Sequence, residues 1–165
     1  MTTTTAVLVL ATLIAAAIDI RTRRIPNLLT GALAFAALAV HVPQGLAPAL
    51  TAVASMCAAF ALGSFAFSAG WFGGGDVKLI AACCGLVSFP GSVSLVLFVL
   101  IAGGFLALVT AALRGRLFAL VRSTAAVAVH GAPVEKNALP YGVAIAAGSI
   151  TYAVSTFVPA LRLPI

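Results

Sequence analysis

Acidic side chains are almost missing from this sequence: Asp19, Asp76 and Glu135 are the only three among 165 residues. Charged residues of both signs make up 7%, against roughly 25% in soluble domains, which need a solvated surface. With 63% apolar residues and a mean hydropathy of +1.23, the chain cannot cover itself with polar groups. Its solvent is therefore a lipid bilayer, and a water-soluble fold is excluded. Cysteine is limited to Cys57, Cys83 and Cys84, all inside apolar runs and with no C-x-x-C pair, so they read as small packing residues. His41 and His130 stand alone, far from any second ligand type, which argues against a metal site. Phosphate-loop and dinucleotide fingerprints are missing as well. The net charge of +6 does not point to nucleic acid, because the basic residues cluster in loops between apolar runs rather than on an open basic face.

What is present is a series of apolar runs. About 20 residues cross the hydrocarbon layer, so 165 residues allow at most six or seven spans with short loops. The pattern predicts six helices, over Thr4–Ile20, Leu28–Val40, Ala47–Ala69, Asp76–Phe89, Ser92–Leu113 and Ala138–Val158. Pro26 disfavours helical geometry at Ile25, so the first helix should stop before it. The fourth run is short, about 21 Å at 1.5 Å per residue, and needs shelter from its neighbours. The one long polar connection, 114–137, contains an apolar stretch with Arg122 that is too short to span and reads as an interfacial helix. The whole chain, 1–165, is expected to form a single all-α membrane domain. Placing Arg21, Arg23 and Arg24 in the cytoplasm brings Lys78, Arg114, Arg116, Arg122 and Lys136 to the same side, leaving only Arg162 opposite. That positive-inside pattern predicts both termini outside.

Topology has a chemical consequence. Asp19, at the end of the first span, and Asp76, at the start of the fourth, fall at the same depth on the same face. Two carboxyl groups brought together in a poorly solvated cleft cannot both ionise cheaply and come to share one proton. The ionised member can activate water against an amide carbonyl while the protonated one polarises the carbonyl oxygen. The structural alternatives are plain. Asp19 precedes Arg23 by one helical turn and can pair with it, and Asp76 can cap the fourth helix. Lys78 reads first as a snorkelling, positive-inside lysine. Gly73, Gly74 and Gly75 serve either as a turn or as an open backbone strip for an extended substrate.

These residues resemble the type IV prepilin peptidases, membrane aspartic proteases of the GxGD type. The family's first motif, an aspartate followed by a basic stretch and Pro-Asn, is matched by Asp19, Arg21, Arg23, Arg24, Pro26 and Asn27. Its glycine-rich second motif is matched by Gly73, Gly75, Asp76 and Lys78. Leu139-Pro140-Tyr141-Gly142 and the residues after it are similar to the segment opening the family's last span. The resemblance implies Asp19 and Asp76 as the catalytic pair. Gly73, Gly74, Gly75, Lys78, Arg24, Pro26, Asn27, Pro140 and Tyr141 would shape the site or bind substrate, with no metal or cofactor. It implies prepilins or pseudopilins as substrates, each with a short basic leader before an apolar helix, cut at the cytoplasmic face of the bacterial inner membrane. Bifunctional members carry a cysteine-rich cytoplasmic loop ahead of the first aspartate. No cysteine precedes Asp19, so the sequence is closer to the short peptidases of Tad (Flp) pilus systems, without implied methyltransferase activity.

A rival reading is a small proton-coupled transporter or channel with the aspartates as proton carriers. Transporters place ionisable groups near the bilayer midplane, whereas both acids here lie at one surface with no relay across. Oligomeric state and the identity of the prepilin are left open by the sequence.

Overall fold

The structure, a computed structural model, describes residues 3–113 and 141–158. Among the described residues there are six α-helices, as the apolar runs predict: α1 (Thr3–Thr22), α2 (Asn27–His41), α3 (Leu46–Ser68), α4 (Gly74–Val87), α5 (Gly91–Leu113) and α6 (Tyr141–Ser155). A 3-10 turn, Val42–Gln44, joins α2 to α3. The interfacial helix expected within 114–137, together with Pro140, lies outside the described residues. Four segments, Thr3–Thr22, Asn27–Gln44, Leu46–Ser68 and Gly91–Leu113, are long and apolar enough to cross a membrane, as a multi-pass membrane protein requires.

Local chemistry sets the helix ends that matter for the site. α1 stops where Arg23 enters the left-handed region at φ 55°, its amide donating to the Asp19 carbonyl oxygen at 2.9 Å. The Thr22 hydroxyl sits 3.0 Å from the carbonyl oxygens of both Ile18 and Arg24, closing the turn. Pro26 then caps α2 in extended geometry, its carbonyl oxygen accepting from the amides of Leu29 and Thr30. α3 ends in a Schellman motif: Gly70, at φ 78°, donates to Phe67 O, and Trp71 donates to Ala66 O, both at 2.9 Å. That reversal hands the chain directly to the glycine-rich turn.

α4 begins at Gly74, two residues before the predicted start, and this corrects the expected capping role of Asp76. Gly73 is the N-cap, and Asp76 sits in the third helical position. A carboxylate there can reach back to the N-cap amide, which explains why the helix starts earlier than a capping aspartate would dictate. Of the last expected helix, Ala138–Val158, residues 138–140 lie outside the described residues, Tyr141–Ser155 is helical, and residues 156–158 are not.

α4 is the centre of the bundle. It packs most extensively against α3 and α2 and next against α5, and eight of its residues, including Leu79, Cys83, Cys84 and Leu86, are buried. The shelter that its short length demands is thus supplied by protein. A second group forms beside it, with α6 packed between α1 and α5, while α1 touches α2 and α4 only sparsely. Leu8, Ala15, Leu33, Leu79, Leu95 and Ile145 join both groups into one core. Large apolar side chains such as Phe35, Phe60, Leu62, Phe65 and Phe105 point outward, as expected where the solvent is lipid. Cys57 is among the exposed positions and does not pack in the core as expected, because it lies on the outer face of α3.

Since lipid is as apolar as the core, close backbone approach holds membrane helices together more than apolar burial does. Gly148 shows this most clearly. A Cβ there would lie 2.6 Å from both Cα and N of Val99, so α5 and α6 can meet only at a glycine. Gly148→Ala should therefore destabilise the protein by about 1–3 kcal/mol, the usual cost of overpacking. Gly31→Ala, where nothing lies within 4 Å, should be neutral or slightly stabilising. Thermal unfolding of the purified variants in detergent checks both.

Candidate active site

Asp19 belongs to the last turn of α1, where the carbonyl ends of the helix make a negative charge unwelcome. It is nevertheless buried, with 7% of its surface exposed. The compensation comes from the other end of the chain. The Gly142 amide, in the first turn of α6, donates to Asp19 Oδ2 at 3.0 Å within the protein interior. An α6 N-terminus with its unpaired amides and positive dipole end thus replaces the water that the carboxylate has lost. A Cβ at position 142 would lie 3.0 Å from Asp19 Cβ and 3.1 Å from Oδ2, so any larger residue crowds the carboxylate that the amide holds.

Asp76 reaches the same region from the start of α4. Its Oδ2 accepts the Gly73 amide at 3.2 Å, the half of a capping box that a glycine N-cap leaves available. The position is favourable to negative charge, being in the first turn of a helix. A Cβ on Gly73 would lie 2.8 Å from this oxygen, so the glycine makes room for the carboxylate it caps.

Both carboxyl groups line one cavity of about 290 Å³, with Arg23, Arg24, Ile25, Asn27, Gly73, Gly74 and Gly75 completing the wall. They are near enough to act on each other electrostatically. Seven of the residues singled out in the sequence therefore meet at one place: Asp19, Arg24, Asn27, Gly73, Gly74, Gly75 and Asp76. The others stand around it. Lys78 reaches the wall through Asn27, its ammonium donating to Oδ1 at 2.9 Å across 51 positions of sequence. Pro26 fixes the N-cap of α2. Tyr141 packs edge-on against Phe72 with ring centroids 4.8 Å apart and an interplanar angle of 75°. Pro140 is outside the described residues.

The cavity combines two carboxyl groups, a cationic rim from Arg23 and Arg24, and exposed glycine backbone. It can bind an extended polar chain and activate a water upon it. Residues 6–108 match the model of the Type IV leader peptidase family, well over half of the chain. The chain belongs to that family. The enzyme is accordingly a prepilin leader peptidase, an aspartic hydrolase of the membrane whose substrates are prepilins. No curated protein and no solved structure gives a match.

Some of the site escaped sequence reasoning. Ile25 lines the cavity of the peptidase beside Arg23 of the first aspartate motif, and a Cβ on Gly75 would lie tightly, 3.2 Å, against Ile25 Cβ. Gly142 is the larger omission. It stands in the segment already noted beside Pro140 and Tyr141, yet its contact with Asp19 spans 123 positions and has no local signature. Lys78, by contrast, has an ordinary use. Lys78→Met should remove a solvent-exposed charge-assisted hydrogen bond and lower stability by no more than about 1 kcal/mol. A thermal unfolding comparison with the parent checks it.

Proposed function

We propose that Asp19 and Asp76 form the catalytic dyad of this leader peptidase and that its substrates are Flp-like prepilins. The observation that carries the reading is the single cavity lined by both carboxyl groups, each steadied by a backbone amide. One carboxyl is ionised and takes a proton from water as the water oxygen attacks the scissile carbonyl carbon. The other is protonated and gives its hydrogen to the carbonyl oxygen, so the tetrahedral intermediate carries no net charge. Collapse then returns a proton to the departing amide nitrogen, breaks the C–N bond, and leaves a carboxylic acid on the leader and an amine on the mature chain.

The surroundings suit this chemistry. The backbone at Gly73–Gly75 offers hydrogen-bonding groups unobstructed by side chains, against which an extended leader can lie. Asn27 lines the wall with Arg24 at the rim, and Lys78, Pro26 and Tyr141 stand around it. The positive-inside pattern supports a site at the cytoplasmic face of the bacterial inner membrane, with both termini outside. A prepilin changes there from basic leader to apolar helix, so its cleavage junction and the dyad lie at one depth. Residues 1–165 act as one peptidase domain. The short Tad-type members are the ones this sequence resembles, which is what points to Flp-like substrates.

Asp19→Asn and Asp76→Asn should each remain folded and inserted in the membrane yet lose leader cleavage by at least about 100-fold, the contribution usual for a general acid or base. The measurement is the mobility shift of a co-expressed Flp-like prepilin, with membrane levels of each variant determined alongside. Undiminished cleavage by either variant would sink the dyad.

A further inference from the structure

The two aspartates belong to different packing groups. Asp76 rides on α4, which is held mainly by α3 and α2, whereas Asp19 rides on α1, which is held mainly by α6; α5 packs on both α4 and α6 and is the helix the two groups share. Direct packing of α1 against α4 and α2 is sparse. With α5 as the main shared support, contacts beside the carboxyl groups themselves help to set how far apart they stand. The first two residues of α6 are in position to do so. Gly142 holds the Asp19 carboxylate by its amide, and Tyr141 lays its ring against Phe72, the residue directly before the Gly73 amide that holds Asp76. The Tyr141 hydroxyl end is seated on the other side against α5, where a Cβ on Gly103 would lie 2.5 Å from the oxygen and 2.8 Å from Cζ. Neither Tyr141 nor Gly142 lines the cavity wall described above.

We infer that Tyr141 and Gly142 are positioning residues that fix the separation of the two carboxyl groups, with Gly103 as the seat that keeps Tyr141 in place. The inference rests on the dyad reading of Asp19 and Asp76. Its physical basis is that an acid–base pair works only over a narrow range of separations, and a displacement of about 1 Å can cost on the order of 100-fold in rate. Because this role concerns the geometry of the reacting groups rather than the grip on the leader, it acts on kcat and leaves KM alone.

Neighbouring glycines of α5 provide the test. Gly103 is buried beneath Tyr141, while Gly104 has nothing within 4 Å of a built Cβ, and neither touches the cavity. Gly103→Ala, Gly104→Ala and Gly142→Ala would be purified in detergent, with the folded fraction fixed by thermal unfolding. Each would be assayed on a synthetic peptide joining a short basic leader to an apolar segment. Gly103→Ala and Gly142→Ala should lose roughly 10–100-fold in kcat per folded molecule with KM within about twofold of the parent. Gly104→Ala should keep the parent's kcat. Equal losses in Gly103→Ala and Gly104→Ala, parental kcat in a folded Gly142→Ala, or an effect confined to KM would each overturn the inference. Should Gly103→Ala fail to fold, Tyr141→Phe against Tyr141→Ala decides: the ring-bearing variant should retain clearly more kcat, and equal values count against positioning. Asp19→Asn and Asp76→Asn run in the same assay separate the two claims. Inactive aspartate variants beside fully active glycine variants defeat the positioning role alone, and active aspartate variants defeat the dyad itself.

Discussion

A carboxylate buried at the wrong end of its own helix is the constraint on which this structure turns. Asp19 sits in the last turn of α1, where the helix dipole opposes it and water is largely excluded. It is tolerable only because the N-terminus of α6 arrives to donate the Gly142 amide. That requirement fixes much else. α6 must run antiparallel to α1 with its first turn at the level of the last turn of α1, and position 142 leaves little room for a side chain. α5 must then come close enough to seat α6, which Gly148 permits on one level and Gly103 on another.

Around α4 the same logic runs with less strain. Its aspartate stands at the favourable end of a helix, with an N-cap amide already in reach. The helix is too short to meet lipid comfortably along its length, and it does not need to, because α2, α3 and α5 enclose it. The Schellman close of α3 at Gly70 and the extended Pro26 cap of α2 deliver the two loops that wall the cavity. Lys78 and Asn27 fasten those walls to each other at the rim. The proposed dyad thus takes one residue from each of two helix groups that share α5 and one core.

Much of this was legible in the residues. The spans emerged from apolar length, and their ends from Pro26 and the glycine-rich turn, because those signals are local. The pairing of Asp19 with Asp76 emerged from charge, since basic loops orient a membrane chain and thereby equalise the depth of distant residues. α4 starts two residues ahead of its apolar run because Asp76 reaches back to cap the turn from inside the helix. Cys57 was read as a packing residue because periodicity in a wholly apolar helix does not distinguish a lipid-facing side from a protein-facing one.

By itself the sequence determined that this chain is an all-α membrane protein of several apolar helices, and it singled out Asp19 and Asp76, which line one cavity. It also carried the two aspartate motifs of its family. Only the tertiary structure decided that Gly142 answers Asp19, that Tyr141 bridges Phe72 and Gly103, and that Gly75 packs closely on Ile25. The reason is physical. Length, hydropathy and loop charge are summed along the chain and can be read from it, whereas an amide meeting a carboxylate 123 positions away depends on how closely two helices approach. That approach is set by side chains that are absent, and a missing Cβ declares its purpose only when its neighbour is in view.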